Sequence, residues 1–184
     1  MAKIKPKTYM KRDTKIIVRS AEISDAGELL SVVPQLDTET DFMMRIEGEF
    51  NLSLEDEINF IKRKLTSEKE LFIVAEVEGK IVGTLGARVN DMFRTKHICN
   101  FGIGVLKEYW RKGVGSILLT TMLKWAEEKN IKRIELKVVS ENDSALRLYR
   151  RFGFEIEGTL NKDHFIGNDK YLDSYIMAKT IDKV

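Results

Sequence analysis

At 184 residues the chain is long enough to bury a full core, and its 43% hydrophobic and 33% charged residues are ordinary for a soluble globular protein. A net charge of +2, with acids interspersed among the bases, gives no argument for nucleic acid, and no apolar run is long enough for a signal peptide or a bilayer span. The one cysteine, Cys99, excludes an intrachain disulfide framework and fits a reducing, cytoplasmic setting. Lys3, Lys5, Lys7, Lys11, Arg12 and Lys15, against the single acid Asp13, make 1–15 a basic arm. It has too few apolar residues to pack and is expected to be disordered or loosely docked. A single domain is expected from 16 to 184.

Residues 16–19 read as a first strand, a short β-branched run. Ser24 and Asp25 offer cap chemistry for a helix through Leu29, Leu30 and Val33, expected to stop near Pro34. Residues 35–51 mix acids with Phe42, Met43, Met44 and Phe50 without clean periodicity. So long an irregular link in a compact domain is more often functional than idle. Ser53 and Asp56 form a capping-box start for a helix whose Leu54, Ile58, Ile61 and Leu65 keep helical spacing. Two strands, 71–77 and 81–89, joined at Glu78-Gly79-Lys80, make a hairpin.

A strand at 97–105 carries Gly102 and Gly104 near its end and breaks into the basic turn Trp110-Arg111-Lys112-Gly113-Val114-Gly115. An amphipathic helical pattern follows at 114–129. Residues 131–139 give a strand with Ile134, Leu136 and Val138 on one face, and 142–152 a short helix ended by Gly153. Residues 154–160 and 171–180 make a closing pair of strands, with Gly167-Asn168-Asp169 as the turn signal between them. This order predicts an α/β (α+β) fold with a mixed, mostly antiparallel central sheet and helices on both faces. Strands 97–105 and 131–139 should run parallel, because a helix joins them.

The strand–turn–helix at 97–129 is a place to hold an anion. The first turn of a helix leaves N–H groups without intrahelical partners, its dipole adds positive charge, and glycine lets backbone approach a phosphate. A P-loop would need GxxxxGK followed by Ser or Thr; here the lysine precedes the glycines. A dinucleotide fold needs GxGxxG, and Gly113-Val114-Gly115 continues to Leu118 instead. The remaining reading is the diphosphate of coenzyme A.

WRKGVG at 110–115 is similar to the Q/R-x-x-G-x-G/A signature of the GNAT superfamily of N-acetyltransferases. Trp110 stands where most members have Gln or Arg, as is common in the branch resembling ribosomal-protein N-terminal acetyltransferases. A second match follows in order and at the expected separation: Asn142, Ala145, Leu148-Tyr149 and Gly153-Phe154 fit the family's N-x-x-A-x-x-L-Y-x-x-x-G-F segment. The resemblance implies the GNAT fold, with its parallel strand pair flanking the coenzyme site. It implies acetyl-CoA as cosubstrate, coenzyme A as product, no metal, and acetyl transfer to a primary amine by direct attack in a ternary complex.

By the same resemblance, Tyr149 is the acid that protonates the departing sulfur; a phenol with pKa ~10 keeps its proton at neutral pH. From its helix alone, Tyr149 reads first as a packing residue beside Leu148 and Phe152; the full motif reverses that. Asn142 is implied to bond the pantetheine arm or an ordered water, and as a helix-start Asn it is also a favoured cap. Backbone groups of Ile103 and Val105 are implied to pair with the pantetheine amides, the Val105 N–H also polarising the thioester carbonyl. Gly102 and Gly104 fit a weakened strand end, or close packing against a neighbour. Arg111 and Lys112 offer side-chain charge to the diphosphate, the N–H groups of Lys112, Gly113, Val114, Gly115 and Ser116 position it, and Ser116 adds a hydroxyl.

Asn100 falls where many members carry a Glu base, and an amide takes no proton at neutral pH, so its expected role is to hold a water that shuttles the proton. Glu39, Asp41, Glu47 and Glu49 are the alternative bases. His97 and His164 are left out of the site, and Cys99, facing opposite Asn100, is expected in the core. The acceptor is a small amine (amino acid, polyamine or antibiotic) or a protein N-terminus; the first is preferred because 35–51 and 161–170 can close over a compact pocket. A reading from another class is a non-catalytic acyl-CoA-binding regulatory module, which Asn100 favours. Neither nucleic acid nor membrane is an expected partner, and a homodimer through the final strands stays open.

Overall fold

The computed structural model describes residues 3–11 and 13–181. Among them the chain forms eight strands, with mostly antiparallel neighbours and one parallel pair, and four α-helices. They fall into two compact units: residues up to Arg88 with Gly102–Trp125, and Val89–Phe101 with the residues from Ala126 onward. One strand, β5 (Ile98–Val105), contributes its first half to the second unit and its last four residues to the first.

In the first unit β1 (Lys7–Lys11), β2 (Thr14–Ser20), β3 (Glu70–Val77) and β4 (Lys80–Val89, to Arg88 here) pair antiparallel in chain order. Strand β1 corrects the expectation of a loose tail. Its register with β2, from Lys7↔Val18 to Lys11↔Thr14, satisfies the backbone of a strand whose side chains, apart from Tyr9, stay exposed. Ile16 and Val18 of β2 are completely buried, so backbone pairing with a fixed neighbour recruits β1 without any apolar pattern. The β3–β4 hairpin turns through Glu78 (φ +51°) and Gly79 (φ +77°), the left-handed pair that matches strand twist.

Helix α1 (Ala26–Thr38) continues a full turn beyond Pro34, where its end was expected. A proline inside a helix costs ~3 kcal/mol or more. The extra turn offsets that by burying Leu36 with Leu29, Val32 and Ile61, and by placing the buried Asp37 against Arg45 (Nε–Oδ2 2.7 Å). Asp25 does not cap α1 through its side chain; it accepts from the Glu22 N–H (2.7 Å) and from both Arg19 Nη atoms (2.6 and 2.9 Å). Helix α2 (Leu54–Thr66) starts on the expected capping box, with Ser53 and Asp56 bonded reciprocally at 3.1 Å. Those bonds hold the Asp56 carboxyl below its ordinary range. The 3-residue-spaced apolar positions of α3 (Val114–Glu128) bury Leu118, Leu119, Met122 and Trp125.

In the second unit the strand order is β5, β6 (Arg133–Val139), β8 (Tyr171–Thr180), β7 (Glu155–Phe165). The β5–β6 ladder is parallel, as the crossover requires, and stops after three pairs at Asn100↔Glu135, while β6 goes on to Val139 beside β8. Helix α4 (Asp143–Arg151) buries Leu146 and Tyr149 on one side and ends at Gly153, φ +80°. Strand β7 extends to Phe165, five residues past the expected end at 160. Its register shifts between Leu160 and His164, and the hairpin then closes over Gly167, Asn168 and Asp169, all with φ positive. Half of 161–170, residues 161–165, is therefore strand, because the shift lets β8 keep pairing where alternation in the sequence fails.

Candidate active site

In the first unit, the end of β5 leads through a 3-10 turn (Lys107–Tyr109) into the N-terminus of α3. Arg111 has φ +60° and Gly113 φ +92°, so left-handed residues punctuate the turn. A non-glycine there carries backbone strain, and successive N–H groups in such a path converge into a nest for an anion. The N–H groups of Arg111, Gly113, Val114 and Gly115 have no hydrogen-bond partner among the described residues, whereas the Lys112 N–H leans on the Tyr109 carbonyl at 3.4 Å. Four convergent donors opening a helix, with the dipole behind them, fit a diphosphate. The Arg111 side chain is exposed; the Lys112 ammonium lies 4.8 Å from the centre of the Tyr109 ring, and Ser116 is half-buried.

Trp110 ties this turn to the strand: its indole N–H donates to the Val105 carbonyl at 2.6 Å. One lone pair of the carbonyl expected to meet a pantetheine amide is thus already taken. Ile103 and Val105 are half-buried. The two strand glycines differ. A Cβ on Gly104 would meet Leu36 Cδ1 at 3.0 Å, which is close packing against α1, while a Cβ on Gly102 would meet nothing within 4 Å.

Of the acids weighed in 35–51, Glu39 reaches the 3-10 turn that follows β5. Its Oε2 accepts from the Lys107 N–H at 2.6 Å, and its Oε1 from Gln35 Nε2 at 2.9 Å. Glu49 accepts from the Ile46 N–H within its own loop, and Asp41 and Glu47 are exposed. The link is organised by a residue that sequence reasoning passed over. Arg45 forks onto Asp37 (2.7 and 3.2 Å) and lays its guanidinium 5.1 Å from the Phe50 ring centre. It is the one base among the acids of 35–51, and that was the available signal. Beside it the buried Glu57 carboxyl is raised by desolvation, with Arg45 pulling the other way.

In the second unit, Tyr149 is buried in a three-ring cluster with Phe101 (centroids 5.9 Å) and Phe154 (6.0 Å). Its hydroxyl has no hydrogen-bond partner among the described residues. Burial alone raises its pKa above the ordinary phenol value, so it keeps its proton throughout the neutral range. Asn142 caps α4, its Oδ1 accepting from the Ala145 N–H at 3.1 Å, and its Nδ2 stays available to donate. Asn100 is exposed, its Nδ2 donating to Asn90 Oδ1 at 3.3 Å, and Cys99 is fully buried on the opposite side of β5.

Comparison with known proteins agrees with both halves. Residues 36–154, well over half of the chain, match the acetyltransferase (GNAT) family. The chain belongs to the GNAT acetyltransferase family. It is similar to the L-amino acid N-acetyltransferase AaaT of Escherichia coli, at 37% identity over 58% of this chain and 66% of that one. An N-alpha-acetyltransferase of Sulfurisphaera tokodaii is 30% identical over 61% of this chain and 73% of its own. Among solved structures, a GNAT-family acetyltransferase from Streptococcus pneumoniae superimposes with a TM-score of 0.85 at 33% identity, covering 90% of this chain and 99% of that one. GNAT acetyltransferases use acetyl-CoA as cosubstrate.

Proposed function

We propose that the chain transfers acetyl from acetyl-CoA to the primary amine of a small molecule, an L-amino acid being the first class to try, by direct attack in a ternary complex. The observation that carries this reading is the turn at 111–115, with four backbone N–H groups that have no partner among the described residues at the start of α3. Bound acetyl-CoA supplies a thioester as acyl donor. Everything else falls to the chain. The nest and the α3 dipole hold the diphosphate, with Arg111 adding charge at its rim. Backbone groups of Ile103 and Val105 align the arm, and the Asn142 Nδ2 donates to it or to a water. Tyr149, kept protonated by burial, gives its proton to the departing sulfur. Asn100 holds a water that carries away the amine proton.

The small-amine preference is supported by the L-amino acid specificity in the name of the Escherichia coli relative and by the Arg45-centred fold of the acidic link, whose Glu39, Asp41, Glu47 and Glu49 attract a cation. A protein N-terminus is the competing acceptor, as the name of the Sulfurisphaera relative suggests. Asn100, an amide where a carboxylate base would be direct, supports the second reading, a binding module without turnover. Release of coenzyme A thiol from acetyl-CoA, measured against free L-amino acids, polyamines and peptides with free N-termini, separates these. Turnover with a free amino acid or polyamine is expected. Turnover with peptides alone overturns the acceptor class, and acetyl-CoA binding with no turnover of any amine overturns the enzyme in favour of the module.

A further inference from the structure

The β1–β2 hairpin precedes the region that matches the family, and its tip lies on the phosphate turn. A Cβ built on Gly113 would sit 2.9 Å from Lys11 Cγ, 3.6 Å from Cδ and 3.5 Å from Cε. The aliphatic stem of Lys11 therefore runs along the Gly113 Cα, and the ammonium is one bond beyond a carbon already against the turn. The placement is firm. Lys11 closes the β1–β2 ladder opposite Thr14, and β2 is anchored through the fully buried Ile16 and Val18. Lys11 has no carboxylate partner among the described residues, so none of them neutralises its charge. Lys112, the lysine within the turn itself, lies over the Tyr109 ring.

We propose that Lys11 is a coenzyme-binding residue, its ammonium completing the diphosphate site that the N–H groups of Arg111–Gly115 begin, so that the N-terminal hairpin is part of that site. This rests on the coenzyme reading of the turn. A nest of neutral N–H groups solvates a doubly charged diphosphate only in part, and a point charge on a long flexible stem adds attraction without requiring fixed geometry. The stem packing on Gly113 also shields the turn from water on one side, which strengthens the pairing.

The test is calorimetric titration of acetyl-CoA, acetyl-dephospho-CoA and S-acetylpantetheine into the wild-type chain, Lys11→Met and Lys11→Arg, at low and high salt, with thermal melts to confirm that each variant is folded. Lys11→Met should weaken acetyl-CoA and acetyl-dephospho-CoA alike by roughly fivefold at low salt, as expected for one partly screened charge pair. High salt should shrink the difference, and Lys11→Arg should bind within about twofold of wild type. S-acetylpantetheine, which lacks the diphosphate, should bind all three chains equally. Equal acetyl-CoA affinity for Lys11→Met and wild type at low salt overturns the assignment, as does an equal loss for S-acetylpantetheine. A loss seen with acetyl-CoA but absent with acetyl-dephospho-CoA overturns the diphosphate contact, because the lysine then serves the ribose phosphate. If the wild-type chain binds none of the three, the coenzyme reading itself falls.

Discussion

Replacing Tyr149 by Phe separates chemistry from packing. The ring sits edge-on to Phe101 at 5.9 Å with an interplanar angle of 80°, and 6.0 Å from Phe154, and Phe preserves both contacts. The hydroxyl donates to no group among the described residues, so removing it breaks no protein hydrogen bond. With no protein hydrogen bond to lose, stability should hold to within about 0.5 kcal/mol. Loss of a general acid lowers turnover by about 10²–10⁴-fold, or ~2.7–5.4 kcal/mol of barrier. A thiolate near pKa ~8.5 leaves tolerably unaided, which places the expected loss near 100-fold. Turnover by thiol release, acetyl-CoA affinity by calorimetry and stability by urea unfolding should show kcat down about 100-fold with the other two unchanged. In the wild type, burial lifts the phenol above its ordinary value, so no falling limb assignable to Tyr149 should appear below pH ~10. Wild-type turnover in Tyr149→Phe, or a loss of turnover that tracks a loss of stability, would refute the acid and leave only the packing role.

Gly113→Val puts branched carbons at φ +92° and within 2.9 Å of Lys11 Cγ; stability should fall by about 1–2 kcal/mol and acetyl-CoA affinity by about tenfold, read by melts and calorimetry. Arg45→Ala strips the partner from Asp37, whose side chain is only 2% exposed; because the guanidinium is itself partly exposed, the expected cost is about 2–3 kcal/mol in urea unfolding, and more than for Asp37→Asn. On acidification, Asp56, Glu157 and Asp163 are held below their ordinary values by Ser53, Arg133 and Lys137 respectively. The unfolded chain therefore binds more protons below pH ~4.5, and the stability these groups contribute, present above that value, should be lost as pH falls toward their folded pKa values. A melting temperature flat from pH 5 to 3 would contradict this.

The helices and strands with strong periodic patterns were legible because burial enforces period: Ile134, Leu136 and Val138 line one side of β6, and the Ser53–Asp56 box starts α2. The boundaries that moved did so for tertiary reasons. Helix α1 runs through Pro34 because Leu36 and Asp37 have partners that local propensity does not see. Strand β1 forms because its backbone has a neighbour, a fact absent from its composition. In the candidate site, Gly113, Gly115, Asn142 and Tyr149 were singled out by their match to the family's two motifs. Glu39 was visible only as one of four candidate bases, and Lys11 and Arg45 were not singled out for the site. Each acts through a contact made across the fold: Lys11 on Gly113 and Glu39 on Lys107 span about a hundred and about seventy residues of chain, while Arg45 needs the extra turn of α1 to bring Asp37 to it.

Trp110 shows how a departure from a signature can keep its physics. The position ordinarily holds Gln or Arg, side chains with N–H donors, and the indole has one donor as well. Here that donor closes a loop from Trp110 back to the Val105 carbonyl, so the end of β5 and the entry to the turn are fixed to each other by a single 2.6 Å bond. The Glu39 carboxylate fixes the intervening Lys107 N–H from the other direction. Arg111 follows directly on Trp110 and takes a left-handed conformation, φ +60°, that carries strain in a non-glycine residue. What Trp110 supplies is therefore a donor that reaches the strand, and it ties the end of β5 to the residue next to that left-handed backbone.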